Sequence, residues 1–143
     1  MKKHLRLIAV IFVLIGIAFA YGCGGETGEG TITIGGGTYT GQLVNGVPEG
    51  YGTWEHPDGG RYEGEWKDGL PHGQGTATWA DGSRYKGEFE NDMFHGQGTM
   101  TWPDGSRYEG EWENDLAHGR GTITYVDGTI LEGRFENGEY VGE

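Results

Sequence analysis

The chain of 143 residues holds one cysteine, four prolines and ten lysines and arginines. It also holds only two serines, Ser83 and Ser106, both directly after Asp-Gly. Each scarcity closes off a class. A single thiol has no partner for an internal disulfide. Few prolines and no G-X-Y period exclude collagen, although 31 residues are glycine. Two serines placed in turns leave no candidate for a hydrolase triad. Ten basic residues face 22 acidic ones, a net charge of -12, so the chain offers no basic patch to a nucleic acid. Beyond Tyr21 there is no long apolar run, and neither GxxxxGK[ST] nor an EF-hand loop occurs.

What is present is a period. Tyr39, Tyr62, Tyr85, Tyr108 and Leu131 stand 23 residues apart. Full units run over 39–61, 62–84, 85–107 and 108–130, with a partial unit at 131–143 and a capping piece, GTITIGGGTY, at 30–39. A fixed period of this length marks a repeat array, in which each unit contacts only its neighbours and function resides in an extended surface.

Residues 1–22 stand apart. Lys2, Lys3 and Arg6 precede an apolar run from Leu7 to Tyr21. The run is short for a membrane span and suits the apolar part of an export signal. Two processing sites compete. Ala18-Phe19-Ala20 would release a chain beginning at Tyr21, periplasmic or secreted. Ala20-Tyr21-Gly22-Cys23 resembles the lipobox of bacterial lipoproteins; it implies lipidation of Cys23, anchorage in the membrane and, with Gly24 next, an outer-membrane place in the cell envelope. Residues 23–30, CGGETGEG, read as a Gly-rich tether. Removing 1–22 removes three positive charges and leaves the array more acidic still.

Within a unit two stretches alternate with period two. Tyr62, Gly64 and Trp66 share one face, and Glu63, Glu65 and Lys67 the other. Gly73, Gly75, Ala77 and Trp79 share a face opposite Gln74, Thr76 and Thr78. Asp58-Gly59, Asp81-Gly82, Asp104-Gly105 and Asp127-Gly128 are read as tight type I′ hairpin turns. The stretch Asp68–His72, with Pro71, reads as a longer loop. The glycines at 64, 87, 110 and 133 are expected to let a ring from the neighbouring strand cross the backbone. The expected fold is all-β: an elongated single-layer antiparallel meander of about ten strands, with an N-terminal apolar signal helix. One unit buries too little apolar surface to offset its ordering entropy, so neighbours must stack.

YEGEW, HGQGT and DGSRY in fixed register resemble the MORN repeat over residues 39–135. The resemblance implies an open, twisted sheet rolled into a trough, and a scaffold or binding module rather than an enzyme. Some members have been proposed to bind phospholipids. Glu49, where later units have His72, His95 and His118, and Leu131, where they have Tyr, depart from the pattern at the ends of the array.

No cofactor or metal is expected. Equivalent histidines in adjacent units lie about 10 Å apart, too far to share one ion. Glu63, Glu65, Glu88, Glu109 and Glu111 fall on the face expected to meet solvent, in near-identical settings that give no contrasting acid and base. The candidate surface is the aromatic face: Tyr62, Trp66, Trp79, Tyr85, Phe89, Trp102, Tyr108 and Trp112. These rings either stack into the only core or leave a strip for a ligand. Expected partners are an envelope protein, the membrane through the lipid anchor, and another copy through the open edge near Ile130–Glu136. Carbohydrate or peptidoglycan on the aromatic trough, and phospholipid by family analogy, are the alternatives.

Overall fold

The computed structural model describes residues 26–143 as one antiparallel sheet of eleven strands, each paired with the next in sequence. The strands are β1 (Thr27–Ile34), β2 (Gly37–Val44), β3 (Val47–Glu55), β4 (Arg61–Lys67), β5 (Leu70–Thr78) and β6 (Arg84–Glu90), then β7 (Met93–Thr101), β8 (Arg107–Glu113), β9 (Leu116–Thr124), β10 (Ile130–Glu136) and β11 (Glu139–Gly142). The expected all-β meander is therefore the observed one. The signal segment 1–22 and Cys23 lie outside the described residues. Two details differ from expectation. β1 begins inside the stretch read as tether, pairing Thr27 with Val44 through Ile34 with Gly37. Gly30 belongs there because a side chain on it would strike Leu43, whose Cδ1 would lie 2.8 Å from an added Cβ. The eleventh strand arises because Asn137-Gly138 turns the last segment back on itself.

The two kinds of turn are the reverse of the sequence reading. The two-residue type I′ turns are Gly35-Gly36, Asn45-Gly46, Asp68-Gly69, Asn91-Asp92, Asn114-Asp115 and Asn137-Gly138, with positive φ at both residues. Pro71, expected in a loop, lies within β5. At the four Asp-Gly sites only the glycine has positive φ. There the aspartate side chain takes an amide two residues on: Asp58 Oδ1 accepts from Gly60 (3.0 Å), Asp81 from Ser83 (2.8 Å), Asp104 from Ser106 (2.9 Å) and Asp127 from Thr129 (2.8 Å). Such a side-chain bond holds the aspartate at negative φ and opens the turn by a residue.

Each unit is also bent. Between Gly64 and Trp66 the register with β5 slips, and Gly73 opposite takes φ +67. Gly96 and Gly119 repeat that conformation. The amide released by the bulge is not left open, because Glu65 accepts from Gln74 (3.0 Å), Glu88 from Gln97 (3.0 Å) and Glu111 from Arg120 (2.9 Å). These three glutamates, expected simply to meet solvent, close the bulge.

The bends roll the sheet. Tyr85 pairs with Met100, six residues from Phe94, a gap of about 20 Å along a straight strand. Yet the Tyr85 and Phe94 rings stack with centroids 3.8 Å apart and planes 9° from parallel. The strands are therefore bent along their length over the aromatic face, and the core lies inside the roll.

Candidate functional site

Six of the eight candidate rings are core. Tyr62, Trp66, Tyr85, Phe89, Tyr108 and Trp112 are between 0% and 5% exposed. Each tyrosine lies across glycines, but from its own strand as well as the next: the Tyr62 ring covers Gly64 on β4 and Gly75 on β5. Its hydroxyl donates to the Glu65 carbonyl (2.8 Å), and Tyr85 and Tyr108 donate likewise to Glu88 and Glu111 (both 2.9 Å). Burial and the neighbouring carboxylates raise the pKa of all three phenols. The indoles of Trp66 and Trp112 donate to the carbonyls of Gly52 and Gly98 (both 3.1 Å). Edge-to-face contacts then link alternate strands, Tyr62 to Phe89 at 5.0 Å and Tyr85 to Trp112 at 5.4 Å.

Trp79 and Trp102 differ. Both are only partly buried. They precede the Asp-Gly turns, in the place held by His56 and Tyr125 in the flanking units. Trp79 leans its edge on Phe94 with centroids 5.9 Å apart.

Inside the roll, a groove of about 350 Å3 opens between Trp79, Trp54, Tyr62, Phe89 and Phe94. Its rim is acidic: Asp58 and Asp81 at one side, Asp92 and Asp115 at the other. Periodicity alone missed the last two, because they fall in turns and not on strands. Their signal is visible in the sequence: aspartate stands where the other type I′ turns have Gly36, Gly46, Gly69 and Gly138. The pKa of Asp92 is pushed up to about 7, first by burial and then by the charge of Asp115. Burial raises Asp115 too, opposed by the bond it accepts from the Phe94 amide (2.8 Å).

The histidine position serves the joint between units. Glu49 accepts the Asp68 amide (2.9 Å), and His72 Nδ1 the Asn91 amide (3.5 Å). The shared acceptor role explains why glutamate and histidine exchange there. Each engages its own neighbourhood: His95 meets Glu90 at 3.4 Å and His118 meets Glu113 at 3.5 Å. At the C-terminal end β10 is not the outer strand, since β11 pairs with Arg134 to Glu136. Val126, Ile130 and Val141 are exposed there.

No curated protein matches the chain. The model of the MORN repeat matches residues 39–61, 62–84, 85–107 and 108–130, over half of the chain. MORN repeats are in general non-catalytic modules of protein and membrane interaction. On four consecutive repeats in one register, the chain belongs to the MORN repeat family.

Proposed function

We propose that the protein is a non-catalytic scaffold of the cell envelope that holds a protein partner in its aromatic groove. One observation carries this reading: a single-layer sheet rolls around a groove of about 350 Å3 and leaves Trp79, in its wall, partly uncovered. A groove walled by aromatic rings suits an apolar protein segment, and buried aromatic anchors dominate such interfaces. The export segment and Cys23 supply the address: lipidation of Cys23 would tether the array to a bacterial outer membrane, whereas cleavage after Ala20 would free it. Blocking of its processing by globomycin is expected if Cys23 is lipidated, and insensitivity removes that part of the proposal.

The test of the groove is photocrosslinking in intact cells. A photoreactive residue replacing Trp79 is expected to capture one defined protein. The same residue replacing Lys86 or Glu109, exposed on the opposite face, is expected to capture none. Equal capture from both faces, or none from either, refutes the reading.

A second reading has its own observation. His56, Trp79, Trp102 and Tyr125 occupy the same place in successive units, about 10 Å apart on a regular sheet. Such a ladder could stack along a polysaccharide such as peptidoglycan. Saturable peptidoglycan binding lost in a Trp79→Ala, Trp102→Ala double variant would favour it.

A further inference from the structure

The two acids on one rim of the groove, Asp92 and Asp115, are not equivalent, and the difference points to a ligand. Asp92 and Asp115 sit 23 residues apart at the second position of a type I′ turn, with φ of +68° and +66°. Non-glycine residues there carry strain that glycine, present at 46, 69 and 138, would avoid. Each turn docks on the strand before it: the Asp115 amide donates to the Phe94 carbonyl (3.2 Å) and the Asp92 amide to the Pro71 carbonyl (2.9 Å). At Asp115 the bond is returned, because the Phe94 amide donates to its Oδ1 at 2.8 Å. At Asp92 it cannot be, because Pro71 has no N–H. Among the described residues the Asp92 carboxylate makes no hydrogen bond and no ion pair.

The basic side chains that line the groove do not serve it. Arg61 is held by Glu63 (2.7 Å) and Glu55 (3.2 Å), and His56 by Asp58 (2.7 Å). A carboxylate beside Phe94 and Pro71, partly withdrawn from water and without a counter-charge, is the complement of a cation that arrives with an apolar neighbour.

We propose that the groove selects a protein segment carrying a lysine or arginine beside apolar residues, the cation seating on Asp92 and the apolar residues on Trp54 and Trp79. This rests on the protein-binding reading of the groove and adds the chemistry of the occupant. Asp115, already bonded to Phe94, has the lesser part. Asp81, whose Oδ1 accepts the Ser83 amide, lies on the opposite rim.

The probe is a phage-displayed library of random twelve-residue peptides, panned on the full chain in detergent micelles. Selected peptides are expected to be rich in lysine or arginine flanked by apolar residues. The strongest one, synthesised, is expected to bind at least ten-fold more weakly when its lysine is acetylated or its arginine replaced by citrulline. Asp92→Asn is expected to cause a loss of the same size. Asparagine tolerates positive φ, so the turn survives. The two losses should not add, which identifies the contact as one pair, and Asp115→Asn should cost less. Peptides selected without a cationic preference, or an affinity unchanged by Asp92→Asn, overturn this inference and leave the groove reading standing. Failure of any peptide to bind, or retention of peptidoglycan fragments instead, overturns both.

Discussion

Gly98 lies beneath the ring of Tyr85, so close that a Cβ added to the glycine would stand 2.5 Å from the phenol Cζ. Gly52 beneath Tyr39, Gly75 beneath Tyr62 and Gly121 beneath Tyr108 repeat the arrangement. The ring cannot move away, because its other face is stacked on Phe94. Gly98→Ala is therefore expected to destabilise the array by about 2–3 kcal/mol through overpacking. In a Tyr85→Ala background the added methyl enters the space the ring has left, and most of that cost should vanish. Urea unfolding of the four members of this cycle measures the coupling. Strictly additive losses would show that the ring does not set the glycine requirement.

Phe94 is the one aromatic at its place in the four full units; Pro48, Pro71 and Ala117 stand there in the others, and Tyr140 in the partial last unit. It touches Tyr85, Phe89, Trp112 and Trp79, and it is 3% exposed. Phe94→Ala is expected to cost about 3–4 kcal/mol, since the rolled sheet cannot collapse onto the vacated volume. The native alanine at position 117 shows that the backbone accepts the smaller residue, so the loss reports packing alone. A change under about 1 kcal/mol in chemical denaturation would mean that the roll closes without this ring.

The strands, their faces and the repeat boundaries were legible because the alternation of Tyr62, Gly64 and Trp66 against Glu63, Glu65 and Lys67 is strict. The turns were not. Asp-Gly satisfies the preference for a type I′ turn, but the amide two residues after each aspartate captures its carboxylate and keeps φ negative. Asn91-Asp92, a weaker signal, adopts the tight turn because its amides find acceptors on the preceding hairpin. That partner lies about 20 residues upstream, beyond the reach of local propensity. The groove was hidden for a related reason. Its acids come from turns and most of its rings from strands, and the bulge at Gly73, Gly96 and Gly119 bends the strands that carry them.

Replacing each turn aspartate by glycine separates backbone strain from hydrogen bonding. Asp92→Gly removes an αL aspartate and a carboxylate that makes no hydrogen bond or ion pair among the described residues. It is expected to stabilise the protein by about 1 kcal/mol. Asp115→Gly gains the same relief but leaves the Phe94 amide without its acceptor, which costs about as much. Its net effect should be near zero or unfavourable. Thermal melts of both variants at pH 7.5 decide this. Equal stabilisation would deny the bond between Phe94 and Asp115 any net worth.

The raised pKa of Asp92 has a definite consequence for stability. Unfolded, its carboxyl ionises near the ordinary value of 3.8, whereas folded it holds its proton to about 7. Between those limits the folded state binds the extra proton, so its stability falls as pH rises through this window and is lowest above it. The full gap corresponds to roughly 4 kcal/mol, and solvent reaching the open groove reduces this to about 1–2 kcal/mol. Asp92→Asn should therefore raise the melting temperature by a few degrees at pH 8 and leave it unchanged at pH 4. Asp58 and Asp81 shift the other way, held low first by the backbone amides of Gly60 and Ser83, and Asp127 first by the Thr129 side chain; all three destabilise the protein in acid, are common to both proteins and cancel in the difference. The cause is testable separately. Pro71→Ala places alanine where the next unit but one already has Ala117, and it restores an amide N–H facing Asp92. The carboxyl carbon of Asp92, followed by NMR through a pH titration, should then titrate closer to an ordinary aspartate. A titration unmoved by Pro71→Ala would mean that the missing donor is not what sets Asp92 apart from Asp115.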